Sequence, residues 1–290
     1  MIFWWPSLFE GAAAHLKTIP LEFIFVALVI QLCLWLVQAL AWKETVSVLQ
    51  NKEIDFRSAL VHLGALVTGK YLPGKIWGMV VRAGILSQSG VTIGSTFRIT
   101  AYEQITILAS GMLVFLIGYA MSSVSWFQIS AIGMIIVVLA CLPLLIKFLE
   151  MTGRFFVESE KENQEELSIE TTAHLSATKL YWLVGLQSLA WILQGLIVVI
   201  LASGLFNKLI GTAPLLIASN SLASLIGFIA VFAPGGIGVR EAAFGFLLRP
   251  EFEIESIITI ALVLRLWTMS ADIVLGIYSA ATFNQLARYH

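Results

Sequence analysis

Five long apolar stretches limit what this chain can become. They run from about Leu21 to Trp42, Thr96 to Tyr119, Trp126 to Phe148, Leu180 to Phe206 and Ile257 to Phe283. A bilayer core about 30 Å thick is crossed by about 20 helical residues, and each stretch reaches that length. Within lipid every backbone amide must find its partner inside its own segment, so such spans are helical. Of the 290 residues 59% are hydrophobic and 12% are charged. Soluble domains carry about 25% charge, and a coat half as dense cannot cover a water-facing surface. The expected fold is an all-α polytopic membrane helix bundle, one transmembrane domain over residues 1–290, with halves at about 21–148 and 180–284.

Two further apolar stretches are interrupted. Residues 59–86 contain Gly69, Lys70, Pro73, Gly74, Lys75 and Gly78, and residues 214–248 contain Pro234, Gly235, Gly236 and Gly238. The pieces on either side are too short to span, which predicts two re-entrant, broken-helix hairpins. Broken backbone at membrane depth needs protein or water to satisfy its polar groups, so a polar cavity is expected beside both breaks.

Loop charge gives an orientation. With five crossings and two hairpins, one side holds Lys43, Lys52, Arg57, Arg154, Lys161, Lys179 and Arg288, and the other holds Lys17, Lys208 and Arg249. The richer side is expected to be cytoplasmic. The N-terminus is then outside and the C-terminus inside, with the first hairpin entering from the cytoplasm and the second from outside. The segment before Leu21 reads as an interfacial anchor carrying Trp4 and Trp5 rather than a cleaved signal. The loop over 150–179 is rich in glutamate and reads as a solvated cytoplasmic linker.

The two breaks echo each other. One reads Leu72-Pro73-Gly74-Lys75-Ile76-Trp77-Gly78-Met79-Val80-Val81-Arg82, the other Ala233-Pro234-Gly235-Gly236-Ile237-Gly238-Val239-Arg240-Glu241. Both follow the order Pro-Gly-x-Ile, Gly, Val-Arg, with the prolines 161 positions apart (234 − 73). With the copies entering from opposite sides, this is an inverted repeat, the sequence pointer to a transporter's site. Proline starts a helix well, glycine admits a close ligand, and the free amides that follow form an anion site. Lys70, Lys75, Arg82 and Arg240 add positive charge. Glu103, Arg265 and Asp272 lie inside spans, where an unpaired charge costs at least about 2.5 kcal/mol. Arg265 and Asp272 share a helix face. Glu241 follows Arg240 directly and reads equally as its local partner. Glu103 reads as a structural partner of a motif arginine or as a proton-linked group. The expected substrate-binding set is therefore Lys70, Pro73, Gly74, Lys75, Arg82, Glu103, Pro234, Gly235, Gly236, Gly238, Arg240, Glu241, Arg265 and Asp272, with the two motifs facing one cavity walled by Glu103 and Arg265.

Several functions are set aside by composition. A net charge of −1 argues against nucleic acid as a partner. His15, His62, His174 and His290 make no metal-ligand spacing, and no cofactor is called for. Cys33 and Cys141 sit in apolar runs and read as small hydrophobes. There is no Walker loop and no GxSxG elbow.

The segments Lys70-Tyr71-Leu72-Pro73-Gly74-Lys75 with Arg82, and Ala233-Pro234-Gly235-Gly236-Ile237-Gly238-Val239-Arg240-Glu241, resemble the signature segments of the flippase-like transmembrane domain of lysylphosphatidylglycerol synthases. The resemblance extends from about Leu21 to Phe283. It implies a lipid-translocating bundle acting on anionic or modified phospholipids, or on polyprenyl-phosphate-linked lipids. The sequence ends at His290 without the soluble aminoacyl-transfer domain of bifunctional members, so lipid aminoacylation is not implied and an enzyme is not expected. The partners expected are a membrane lipid and the bilayer, with homo-oligomerisation left open. The competing readings are a non-transporting accessory subunit of a lipid or glycan synthesis complex, and a membrane-embedded lipid-phosphate transferase using Glu103 or Asp272.

Overall fold

The computed structural model describes residues 19–72, 76–88, 90–122, 132–144, 147, 176–206, 211–230 and 232–286. Among them all regular structure is helical. The chain runs through α1 (Leu21–Gln50), α2 (Phe56–Gly69), α3 (Trp77–Ser87), α4 (Ile93–Ala120), α5 (Ile132–Leu144), α6 (Ala177–Phe206), α7 (Ala213–Ile229), a 3₁₀ turn (Pro234–Gly236), α8 (Val239–Leu248) and α9 (Ile254–Leu286). Four of them, α1, α4, α6 and α9, are long and apolar enough to cross a bilayer. The stretch expected as a fifth span is described over α5, a shorter apolar helix. The rest of that stretch, and the segment 150–175, lie outside the described residues.

Local chemistry explains the boundaries. Asp55 caps α2 by accepting from the Ser58 amide at 3.2 Å, and Thr92 caps α4 by accepting from the Ser95 amide at 3.2 Å. Pro214 occupies the first turn of α7, where its missing amide hydrogen is harmless. Helix α1 does not stop at Lys43 and Glu44, where the apolar run ends, but continues to Gln50. Its last two turns bury Val46, Val48 and Leu49, with Val46 and Leu49 in a cluster shared with α4 and α6, and Asn51 then closes the helix in the left-handed conformation (φ 48°).

The order long helix, short helix, break, short helix, long helix occurs twice, as α1–α4 and as α6–α9. The halves are interleaved. Helix α2 packs on α9, and α7 packs on α4, so the first short helix of each half lies against the last long helix of the other. Lipid tails give no hydrophobic drive for such pairing, so close backbone approach at small residues must supply it. A Cβ on Gly64 of α2 would stand 2.6 Å from the Leu275 carbonyl oxygen of α9, and one on Gly118 of α4 would stand 2.8 Å from the Pro214 carbonyl oxygen. Helices α1 and α6 pack together through Ala27, Leu34, Ala190 and Ile197. The outward faces carry exposed Leu, Ile, Val and Phe, as a lipid-facing surface requires.

Candidate functional site

Glycine makes the second break possible. Gly235, Gly236 and Gly238 adopt φ of 60°, 71° and 83°, which a side-chain-bearing residue rarely does. Gly236 packs on Gly227 near the end of α7, where its Cβ would stand 3.1 Å from the Gly227 backbone. Gly235 meets the first hairpin directly. Its amide donates to the Lys70 carbonyl oxygen at 3.0 Å, and a Cβ there would stand 3.1 Å from the Tyr71 ring. The Gly235 carbonyl accepts from both Nη1 and Nη2 of Arg265, each at 3.0 Å. One peptide unit thus ties the first hairpin, the second break and α9 together.

Charged side chains surround this junction. The Lys70 ammonium pairs with Asp272 at 2.6 Å, and the Tyr71 hydroxyl donates to the same carboxylate oxygen at 2.6 Å. Lys70 also lies 5.3 Å from the Tyr71 ring centroid. Glu241 accepts from the Gly238 amide at 2.7 Å and faces Arg265 Nε at 3.7 Å. Its negative charge thereby sits in the first turn of α8, where the helix dipole favours it. Arg240 does not pair with its neighbour Glu241 but donates to Asn220 Oδ1 of α7 at 3.0 Å. Among the described residues the junction holds three cations (Lys70, Arg240, Arg265) against two anions (Asp272, Glu241). Arg240, Glu241, Phe244, Ala261, Leu264 and Arg265 line a small, half-open recess whose enclosed space is about 10 Å³, room for about one water molecule.

Arg82 and Glu103 belong to a different cluster. Arg82 Nη1 bonds Glu103 Oε2, and both side chains are buried, 0% and 4% exposed. The Arg82 guanidinium lies over the Trp42 ring at 3.6 Å, and the Trp42 and His62 rings are 5.7 Å apart. Glu103 therefore lines no open wall shared with Arg265. Its carboxylate is taken up by Arg82 inside the first half.

The structure thus gathers Lys70, Gly235, Arg265, Glu241 and Asp272 at one junction, with Pro234 and Gly236 in its turn, Gly238 at the start of α8 and Arg240 beside them. Arg265 and Asp272 do work from one face of α9, each on a different part of the junction. Pro73, Gly74 and Lys75 lie outside the described residues. Four residues of these clusters escaped the sequence: Trp42, His62, Tyr71 and Asn220. Asn220 alone carried a usable signal, an amide inside an otherwise apolar run.

The close glycine contacts add a second regular spacing to the echo. Gly69 meets Gly78 in the first hairpin as Gly227 meets Gly236 in the second. These glycines, the arginines Arg82 and Arg240, and the glycines Gly118 and Gly276 all lie 158 positions apart (227 − 69, 236 − 78, 240 − 82, 276 − 118).

A family-wide comparison decides the class: a sequence model of known proteins matches residues 1–276. The chain belongs to the family described as the lysylphosphatidylglycerol synthase TM region. The match takes in both hairpins, three of the long helices whole and the fourth as far as residue 276. No curated protein matches the sequence. Membership in the lysylphosphatidylglycerol synthase TM family makes this a multi-pass membrane protein with a lipid-related role. Among the described residues, the polar junction combines clustered cations with a small recess.

Proposed function

We propose that the protein is a lipid translocase of the cytoplasmic membrane, moving a lipid with an anionic headgroup between leaflets past the junction of its two broken hairpins. The observation that carries this reading is the Gly235–Lys70 backbone bond, which brings both breaks to one place beside Lys70, Arg240 and Arg265. A phosphate placed at the recess would meet Arg240 and Arg265 while its acyl chains stayed between helices, in contact with lipid. The interleaved halves support an inverted repeat with two re-entrant hairpins, because exchange of α2 and α7 between halves is what an approximate two-fold axis in the membrane plane would produce. The substrate class is an anionic or modified phospholipid, or a polyprenyl-phosphate-linked lipid.

Movement rather than chemistry fits the carboxylates. Glu103 is held by Arg82, Asp272 by Lys70 and Tyr71, and Glu241 by Arg265 and the Gly238 amide. None of the three is left as a positioned general base.

The test is reconstitution in vesicles containing fluorescent anionic lipid in both leaflets, with a quencher added outside. The native protein should expose the inner-leaflet pool to the quencher, and Arg240→Glu and Arg265→Glu should stop this while folding normally. Equal lipid movement in both variants and the native chain would reject the site.

A further inference from the structure

We propose that Glu103 is a proton-binding site whose occupancy holds or frees the first broken-helix hairpin through Arg82. The cluster around it is buried and only partly satisfied. Arg82 carries five N–H donors in a rigid planar fork. Its Nη1 reaches Glu103, but Nε and Nη2 are buried without a partner, as are Trp42 Nε1 and His62 Nδ1. Buried polar groups are normally hydrogen-bonded, so the arrangement around Arg82 leaves these donors and the imidazole nitrogen without the partners they would gain elsewhere.

The mechanics follow from position. Arg82 projects from α3, an eleven-residue helix joined to α2 through the Gly69–Gly78 contact. Its carboxylate partner lies on α4, so the ion pair fastens the moving end of the hairpin to a long helix. When Glu103 takes a proton from water, the carboxylate becomes a neutral acid while the guanidinium remains charged. A cation left in that pocket, with three indole and guanidinium nitrogens unfilled, has no compensating charge and is driven toward water or an anionic headgroup. Arg82 can leave only by carrying α3 with it. Loss of the proton restores the pair and closes the hairpin.

The surroundings single out Glu103. Facing it are Arg82 from α3 and, across Trp42 of α1, His62 of α2. Helix α4 itself carries Arg98 and Tyr102 next in sequence. Helices α6 and α7, also packed on α4, present Trp191 against Gly111 and Ala218 against Gly118, neither of them ionisable. The inference concerns the first hairpin alone and is read without any transport assay, so it stands or falls separately from the translocase reading.

The experiment uses the full chain in detergent with Cys33 and Cys141 replaced by Ser and Ala83→Cys on α3 as the reporter, since Ala83 is only 3% exposed. Measured relative to the unfolded chain at the same pH, which cancels the fall in thiolate, the labelling rate should rise on the order of tenfold as the pH is lowered from neutral, and E103Q should label fast on the same scale at every pH. Infrared difference spectra should show a protonated-carboxyl band appearing at low pH in the reporter protein and missing in E103Q. E103D, which keeps the charge, should retain the response with a shifted midpoint and serves if E103Q does not fold. H62Q should leave the response intact. Labelling that ignores pH, a response that survives in E103Q or is unmoved in E103D, or one abolished by H62Q would each overturn the proposal.

Discussion

The two halves repeat a backbone plan but treat its arginine in opposite ways. In the first half Arg82 is sealed under Trp42 and neutralised by Glu103. In the second, Arg240 is partly buried, bonded to the neutral Asn220, and set beside a recess with Arg265. The same break therefore yields a closed ion pair in one place and an available cation in the other. The difference lies in the partner supplied by a neighbouring helix, a carboxylate from α4 or an amide from α7, and not in the break itself.

Removing each partner should expose that contrast. Glu103→Ala leaves Arg82 as an unpaired buried charge and is expected to destabilise the fold by about 3–5 kcal/mol, read as a loss of thermal unfolding temperature in detergent. Asn220→Ala leaves Arg240 with nearby water or lipid phosphate as an alternative and should cost about 1–3 kcal/mol. Equal losses would mean that the two arginines are equivalent after all.

The hairpin contacts predict a second, smaller inequality. A Cβ on Gly69 would stand 2.1 Å from the Gly78 nitrogen, whereas one on Gly227 would stand 3.0 Å from the Arg240 side-chain Cβ. Gly69→Ala should therefore be destabilising by roughly 1–3 kcal/mol, in the range of overpacked cores, and Gly227→Ala by less. A reversed order in chemical unfolding would show that the first hairpin is the looser one. The smallest effect belongs to a bond outside both sites: Trp267 Nε1 donates to Gln31 Oε1 at 3.1 Å between α9 and α1. Trp267→Phe should cost about 0.6 kcal/mol and leave lipid movement unchanged, which sets the baseline for the others.

How much of this was written in the sequence depends on the range of the interaction. The four long helices and both breaks were readable, because length, hydropathy and Pro-Gly punctuation are local. The continuation of α1 past Lys43 was hidden, since Val46, Val48 and Leu49 declare themselves only once their packing partners are known. The pairing of Arg82 with Glu103 followed the expectation for a charge inside a span. Its separation from Arg265 did not, because no sequence spacing says which side of a helix bundle two residues will occupy. Tyr71 and Trp42 were missed for a related reason: an aromatic beside a cation looks in sequence like any other apolar residue.

The Gly235–Lys70 bond also bears on permeability. On the translocase reading proposed above, a headgroup must cross a membrane whose ion gradient forbids an open aqueous path. At the junction of the hairpins a backbone amide bonds a backbone carbonyl, with the Tyr71 ring against Gly235 and Arg265 bound to the same peptide. Main-chain atoms have no long side chain that can swing aside, so a hydrated ion would have to break the bond to pass. A lipid already pulling the two hairpins apart would fill the gap as it opened. The stopper and the gate would then be one peptide unit, and the membrane would stay insulating through the whole cycle.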